Sequence, residues 1–158
     1  MKYKTLKPRL GAYLLDSILL TLIYLVFVAI DMFTYHKYNF FTEVIFSLIT
    51  FWYFISQHVK SGQTFGKTKA FVKLVSFKNE DRLLTVIEVL KRYSVEILIF
   101  FLWFLNSFFM FLSNNSIEYI SAIYLLMNLI VTYLDKNGRS VRDFLANSVV
   151  INLEKNDD

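Results

Sequence analysis

Charge is nearly absent from four long stretches of this 158-residue chain. Residues 12–30 carry one charged side chain, Asp16, and residues 44–57 carry none. Phe40, Phe41 and Thr42 lengthen the second run, residues 97–112 form a third, and residues 117–134 form a fourth, with Glu118 near its start. A helix needs about 20 largely apolar residues to cross a hydrocarbon core about 30 Å thick. Spans are therefore expected over about 12–30, 40–57, 95–112 and 117–134. Hydrophobic residues make up 56% of the chain, and the mean hydropathy is +0.46. Soluble domains hold about 45–50% apolar residues, so a soluble helical bundle is rejected, together with disorder, a collagen-like fibre and a coiled coil. There is no cysteine, which excludes a disulfide framework, a thiolate metal site and a thiol nucleophile. No small-x-small cleavage signal follows the first run, so it reads as a retained span.

The basic residues orient these spans. Four precede the first run (Lys2, Lys4, Lys7, Arg9), eight lie in the connection 58–94, and four lie in the tail 135–158. The first outer connection holds only Lys37, and the last, residues 113–116, holds none. With both termini inside, the split is 16 to 1, a strong positive-inside asymmetry. The expected topology places both termini in the cytoplasm and Asn39 and Asn114 outside. The net charge of +4 is then explained by the bilayer, and nucleic acid is not an expected partner.

The long connection and the tail have their own organisation. Residues 61–68 (SGQTFGKT) place two glycines four positions apart. A phosphate-cradling loop needs four residues between its glycines and a preceding strand; this segment has three and follows an apolar helix, so it is not a P-loop. Residues 69–77 (KAFVKLVSF) and 148–153 (SVVINL) read as strands. Because a lone strand leaves unpaired edges, the two are expected to form a short cytoplasmic β-ribbon, with residues near Val72 opposite residues near Val150. Leu83, Val86, Ile87, Leu90 and Tyr93 recur at helical spacing opposite Glu88, Lys91 and Arg92, which predicts a cytoplasmic amphipathic helix. Ser140-Val141-Arg142-Asp143 fits a capping box, with a short helix to follow. The fold class is thus all-α and membrane-spanning: four spans, an amphipathic helix and a ribbon.

Three motifs in order carry a resemblance. Residues 9–16 (RLGAYLLD) set Arg9 before the first span and Asp16 inside it; residues 62–67 (GQTFGK) contribute Gly62, Gln63, Thr64, Gly66 and Lys67; residues 139–150 (RSVRDFLANSVV) contribute Asp143. Together these resemble the RDD family of bacterial integral membrane proteins over essentially the whole chain, with Ser148 at a usual Thr and Ser140-Val141 at a usual Gly-Leu. The resemblance implies a single multi-pass domain in the bacterial cytoplasmic membrane, with transport often suspected.

The residues themselves leave two functions open. An ionised Asp at mid-helix costs about 2.5–3.5 kcal/mol on insertion scales, so Asp16 needs a polar neighbourhood. Arg9 precedes it by seven residues, about 10.5 Å along a helix, so Asp143 is the expected partner of Arg9 and would clamp the tail to the first span. In a transport reading, Asp16 binds a proton or cation beside Ser17, Thr21, Asn106 and Asn128. In a scaffold reading, the charged pairs are clasps, and the protein acts through other membrane proteins. Glu43, Glu96 and Glu118 read as boundary residues, with Arg92 as the partner of Glu96. His36 and His58 fall near opposite faces and share no metal. No cofactor and no catalytic set is expected. A homodimer would supply eight spans.

Overall fold

The computed structural model describes residues 3, 5–35, 40–109 and 114–153. His36, Lys37, Asn39 and the end of the third expected span lie outside the described residues.

Four apolar helices form the body: α1 (Leu6–Tyr35), α2 (Phe40–Lys60), α5 (Ser94–Phe109) and α6 (Asn114–Leu134). Between and after them come α3 (Phe65–Lys69), β1 (Val72–Ser76), α4 (Val86–Arg92), α7 (Val141–Leu145) and β2 (Ser148–Asn152), which together build a cap on one end of the bundle. The chain's one proline, Pro8, sits in the first turn of α1, where its missing N–H costs nothing.

Three of these helices are long and apolar enough to cross a membrane: α1 over Leu6–Thr34, α2 over Phe40–Lys60 and α6 over Ser116–Leu134. Only 6%, 6% and 11% of their most apolar windows are buried within the chain. Leu14, Ile18, Leu22, Leu25 and Val26 are each more than half exposed along α1. In water this would be a very large unsatisfied apolar surface; hydrocarbon removes the problem. α5 has sixteen residues, about 24 Å of helix, short of the length of a full span. Three helices among the described residues therefore meet the length expected of four.

Aromatic side chains pack the bundle, because runs two to four contain no glycine to bring backbones close. Phe51 meets Phe100 at 5.7 Å between ring centroids, Phe100 stacks on Trp103 at 5.7 Å, and Phe40 stacks on Trp103 at 5.6 Å. At the end away from the cap, Thr42 Oγ1 donates to the buried Asp31 at 2.8 Å and joins α2 to α1.

In the cap, β1 and β2 pair antiparallel, with Leu74 opposite Val150 and Val72 opposite Asn152. One face of the ribbon (Val72, Leu74, Val150) packs on Ala12, Leu84, Val89 and Tyr93. The other (Val75, Val149, Ile151) packs on Tyr3 and Leu153. Burial on both faces explains why β2 carries apolar residues at the consecutive positions Val149, Val150 and Ile151. Gly62 has φ +72°, and a Cβ there would meet the Leu74 carbonyl at 2.4 Å, so the start of the loop accepts only glycine.

One expectation is corrected here. Thr85 and Glu88 form a capping box that starts α4, but this helix buries Val89 and Arg92 and exposes Val86, Ile87 and Leu90. Arg92, expected on the polar face, is 3% exposed. An ionic partner inside the cap decides the rotation of this two-turn helix, and the apolar stripe is left outward.

Candidate functional site

The beginnings of α1 and α5, the ends of α2 and α6, and the cap converge on a buried charged cluster. Asp143, 0% exposed, is its centre. It is the third helical residue of α7, and it closes a capping box by accepting from Ser140 N and Oγ, both at 2.9 Å, on Oδ2. The same Oδ2 accepts from Arg9 Nη1 at 2.7 Å, and Oδ1 accepts from Arg92 Nη2 at 2.7 Å and Nε at 3.1 Å. Capping and ion pairing are thus both carried by one carboxylate. Burial alone would raise the Asp143 pKa, but Arg92 and Arg9 outweigh it and hold the carboxyl well below the usual range. For Arg92, burial opposes the charge, and Asp143 more than offsets that, leaving its pKa raised. One ionised group therefore ties α1, α4 and α7 together. Nearby, Arg139 donates from Nε to the Ser148 carbonyl at 3.1 Å and lies between the rings of Phe77 and Phe144, pinning the ribbon to α7.

Asp16, 4% exposed, is held differently. Its donors are Tyr53 Oη at 3.1 Å, Gly66 N at 2.8 Å and Thr64 Oγ1. Thr64 caps α3, and Tyr53 also accepts from Phe65 N at 3.0 Å. The fit between α1 and α3 demands glycine at 66, because a Cβ would lie 2.0 Å from the Ala12 carbonyl oxygen. Gln63 donates to the Val72 carbonyl at 3.0 Å and aligns the loop with β1. The loop motif and the intramembrane carboxylate are thus one unit. Ser17, Thr21, Asn106 and Asn128, expected around Asp16, do not donate to it.

Lys67 and His58 form a third unit. Lys67 Nζ lies 2.5 Å from His58 Nε2, while His58 Nδ1 faces the Phe54 carbonyl at 2.6 Å and Tyr93 Oη at 3.3 Å. The Phe54 carbonyl assigns the proton to Nδ1, so Nε2 accepts from Lys67. Burial, reinforced by repulsion from Arg92 and Arg142, holds the Lys67 pKa well below the usual lysine range. Sequence reasoning placed Lys67 in the motif but missed the pairing, because positions 58 and 67 meet only through the turn at Gly62.

Arg9, Asp16, His58, Lys67, Arg92, Arg142 and Glu96 line a cavity of about 450 Å³. A second, of about 780 Å³, reaches toward the opposite end past Glu43, Trp103 and Glu118. Thr50, Phe51, Glu96, Ile99 and Ser121 border both, so the two abut along the bundle. Glu43, Glu96 and Glu118 thus sit on cavity walls. Glu96 pairs with Arg142 at 3.4 Å rather than with Arg92, which Asp143 has drawn away. Buried polar atoms without a hydrogen-bond partner include Arg9 Nη2, Thr50 Oγ1, Glu96 Oε2, Tyr124 Oη and Arg142 Nε, and all five belong to residues lining the smaller cavity. No group of three or more His, Asp or Glu side chains able to hold a metal occurs among the described residues.

A family model described as RDD family matches residues 3–147 of the chain. No curated protein and no solved structure matches it.

Proposed function

This chain belongs to the RDD family, and on that premise we propose that it is a four-span protein of the bacterial cytoplasmic membrane that passes a small solute or ion along its two abutting cavities. The observation that carries this reading is their arrangement in series, with five shared wall residues and two unpartnered arginine N–H groups, Arg9 Nη2 and Arg142 Nε, on the cap side. Buried polar groups without partners are rare in folded proteins and call for an explanation; a polar guest supplies one. The 16-to-1 distribution of basic residues supports a topology with the cap and both termini in the cytoplasm. There the outward stripe of Val86, Ile87 and Leu90 lies in the lipid interface.

Flux into liposomes tests the reading. Ser121 borders both cavities, so Ser121→Phe should abolish a flux that the wild type carries while leaving its melting temperature within a few degrees. Equal flux in both proteins, or none in the wild type for any ion or small solute offered, would count against transport. For topology, the cysteine-free chain allows clean scanning. Asn114→Cys should be labelled from the outer side only.

One observation favours a second reading, that of a scaffold or accessory subunit. The oxygens of Asp16 and Asp143 already accept from the protein's own donors, as structural clasps would. In that case the wild type moves nothing alone, and the outward face of the bundle contacts another membrane protein or a second copy.

A further inference from the structure

The cap-side cavity has a sign. Four cationic side chains line it: Arg9, Lys67, Arg92 and Arg142. The two arginines bonded to Asp143 exhaust that carboxylate. Arg142 shares one oxygen of Glu96 at 3.4 Å. Lys67 has an imidazole and no carboxylate as its hydrogen-bond partner, and repulsion by Arg92, Arg142 and Arg9 opposes the attraction of Asp143 on its charge. Arg9 Nη2 and Arg142 Nε are buried donors with nothing to donate to. Of the unpartnered acceptors, Glu96 lies within interaction range of the Tyr124 hydroxyl, so these two groups can satisfy each other. Two carboxylates also line the cavity, Asp16, bonded by three neutral donors, and Glu96, paired with Arg142, so the cationic groups outnumber the anionic ones and oppose an entering cation. An oxyanion would find two open guanidinium N–H groups and a lysine to which no carboxylate is bonded, the donor set that recognises phosphate.

We propose that the cap-side cavity binds a phosphate group, held by Arg9, Arg142 and Lys67. The group can belong to a free phosphate or to a phospholipid head. The second source is open because Leu10 and Tyr13 of α1 and Leu125 of α6, which border the cavity, are 43%, 52% and 48% exposed on the surface that faces hydrocarbon. Basic pockets between spans are a known docking place for anionic heads. The inference rests on the cavity being the ligand site, as in the transport reading, but it does not require passage.

The test uses purified full-length protein in detergent, titrated with inorganic phosphate and, separately, with short-chain phosphatidic acid. The melting temperature is followed at constant ionic strength, with chloride as the balancing salt. A saturable rise is expected with at least one of the two probes. Phosphate alone identifies a free ion, and phosphatidic acid alone identifies a lipid head. Lys67→Met and Arg142→Gln should each weaken the response at least tenfold. Neither residue is part of the Asp143 clasp, and a ligand-free melting temperature no lower than wild type shows that the fold is kept. No response beyond that to chloride overturns the proposal, as does an undiminished response in both variants. Flux in liposomes separates the two readings: flux without phosphate binding sinks this inference alone, and binding without any flux sinks transport alone.

Discussion

Asp143 and Lys67 both sit in the cap, Asp143 fully buried and Lys67 partly so, and the structure treats them in opposite ways. Asp143 gathers two guanidinium groups, a hydroxyl and a backbone N–H, so its charge is worth more inside the protein than in water. Lys67 finds one imidazole and three repelling arginines, so its charge is worth less. A buried ion that is fully paired is architecture; one that is left short is a vacancy for a counter-ion. Asp16 falls between them, bonded by three neutral donors and by no cation.

The largest effect should come from breaking the paired centre. Asp143→Asn leaves Arg9 and Arg92 buried without their counter-charge, which typically costs about 3–5 kcal/mol out of a total of about 5–15 kcal/mol. Chemical unfolding in detergent should show it. Next comes Gly66→Ala, whose methyl group meets backbone rather than a movable side chain; forced overpacking costs about 1–3 kcal/mol. Asp16→Asn should cost less than Asp143→Asn, about 1–2 kcal/mol. Its amide oxygen still accepts from Gly66 N and Tyr53, and the Thr64 hydroxyl can turn to accept from the new amine. A loss equal to that of Asp143→Asn would erase the distinction between the two carboxylates.

The smallest effect is a pH dependence. Because the folded state lowers the Lys67 pKa from about 10.5, the unfolded chain binds more protons between the two values, and stability rises with pH across that window. The penalty is absent above the unfolded value, grows as pH falls, and levels off below the folded one. Lys67→Met removes it. The variant should therefore match wild type near pH 11 and melt progressively higher than it as pH falls, in the absence of anions other than chloride. Asp143 behaves in the opposite sense. With its folded pKa depressed, its contribution is complete above the ordinary carboxylate range and is lost only as pH falls through the folded value, so it stays constant between pH 5 and 9.

Three of the four expected spans and the ribbon were legible in the sequence because their signals are local. Hydropathy over twenty residues reports lipid contact, and two β-branched runs with exposed edges call for each other. Arg9–Asp143 was legible as well, since the resembled motifs include both residues and both fall on the basic side of the spans. Arg92 was not. At helical spacing it belongs with Glu88 and Lys91 on a wet face, and only the tertiary placement of Asp143 turns it inward. The same holds for Lys67 and His58, and for Tyr53, which reads as one more aromatic in an apolar run and serves as a donor to Asp16. Cavities leave no local trace at all, since their walls come from helices far apart in the chain.

One ionised carboxylate fastens the cap to the bundle, and a double-mutant cycle on Arg92 and Asp143 measures that fastening. Unfolding free energies are measured for Arg92→Gln, Asp143→Asn and the pair together. Residues in direct ionic contact couple by about 0.5–3 kcal/mol, and two guanidinium N–H groups of Arg92 on one buried carboxylate oxygen put this pair in the upper half of that range. The double variant should thus lose markedly less than the sum of the single losses. Simple additivity would contradict the clasp.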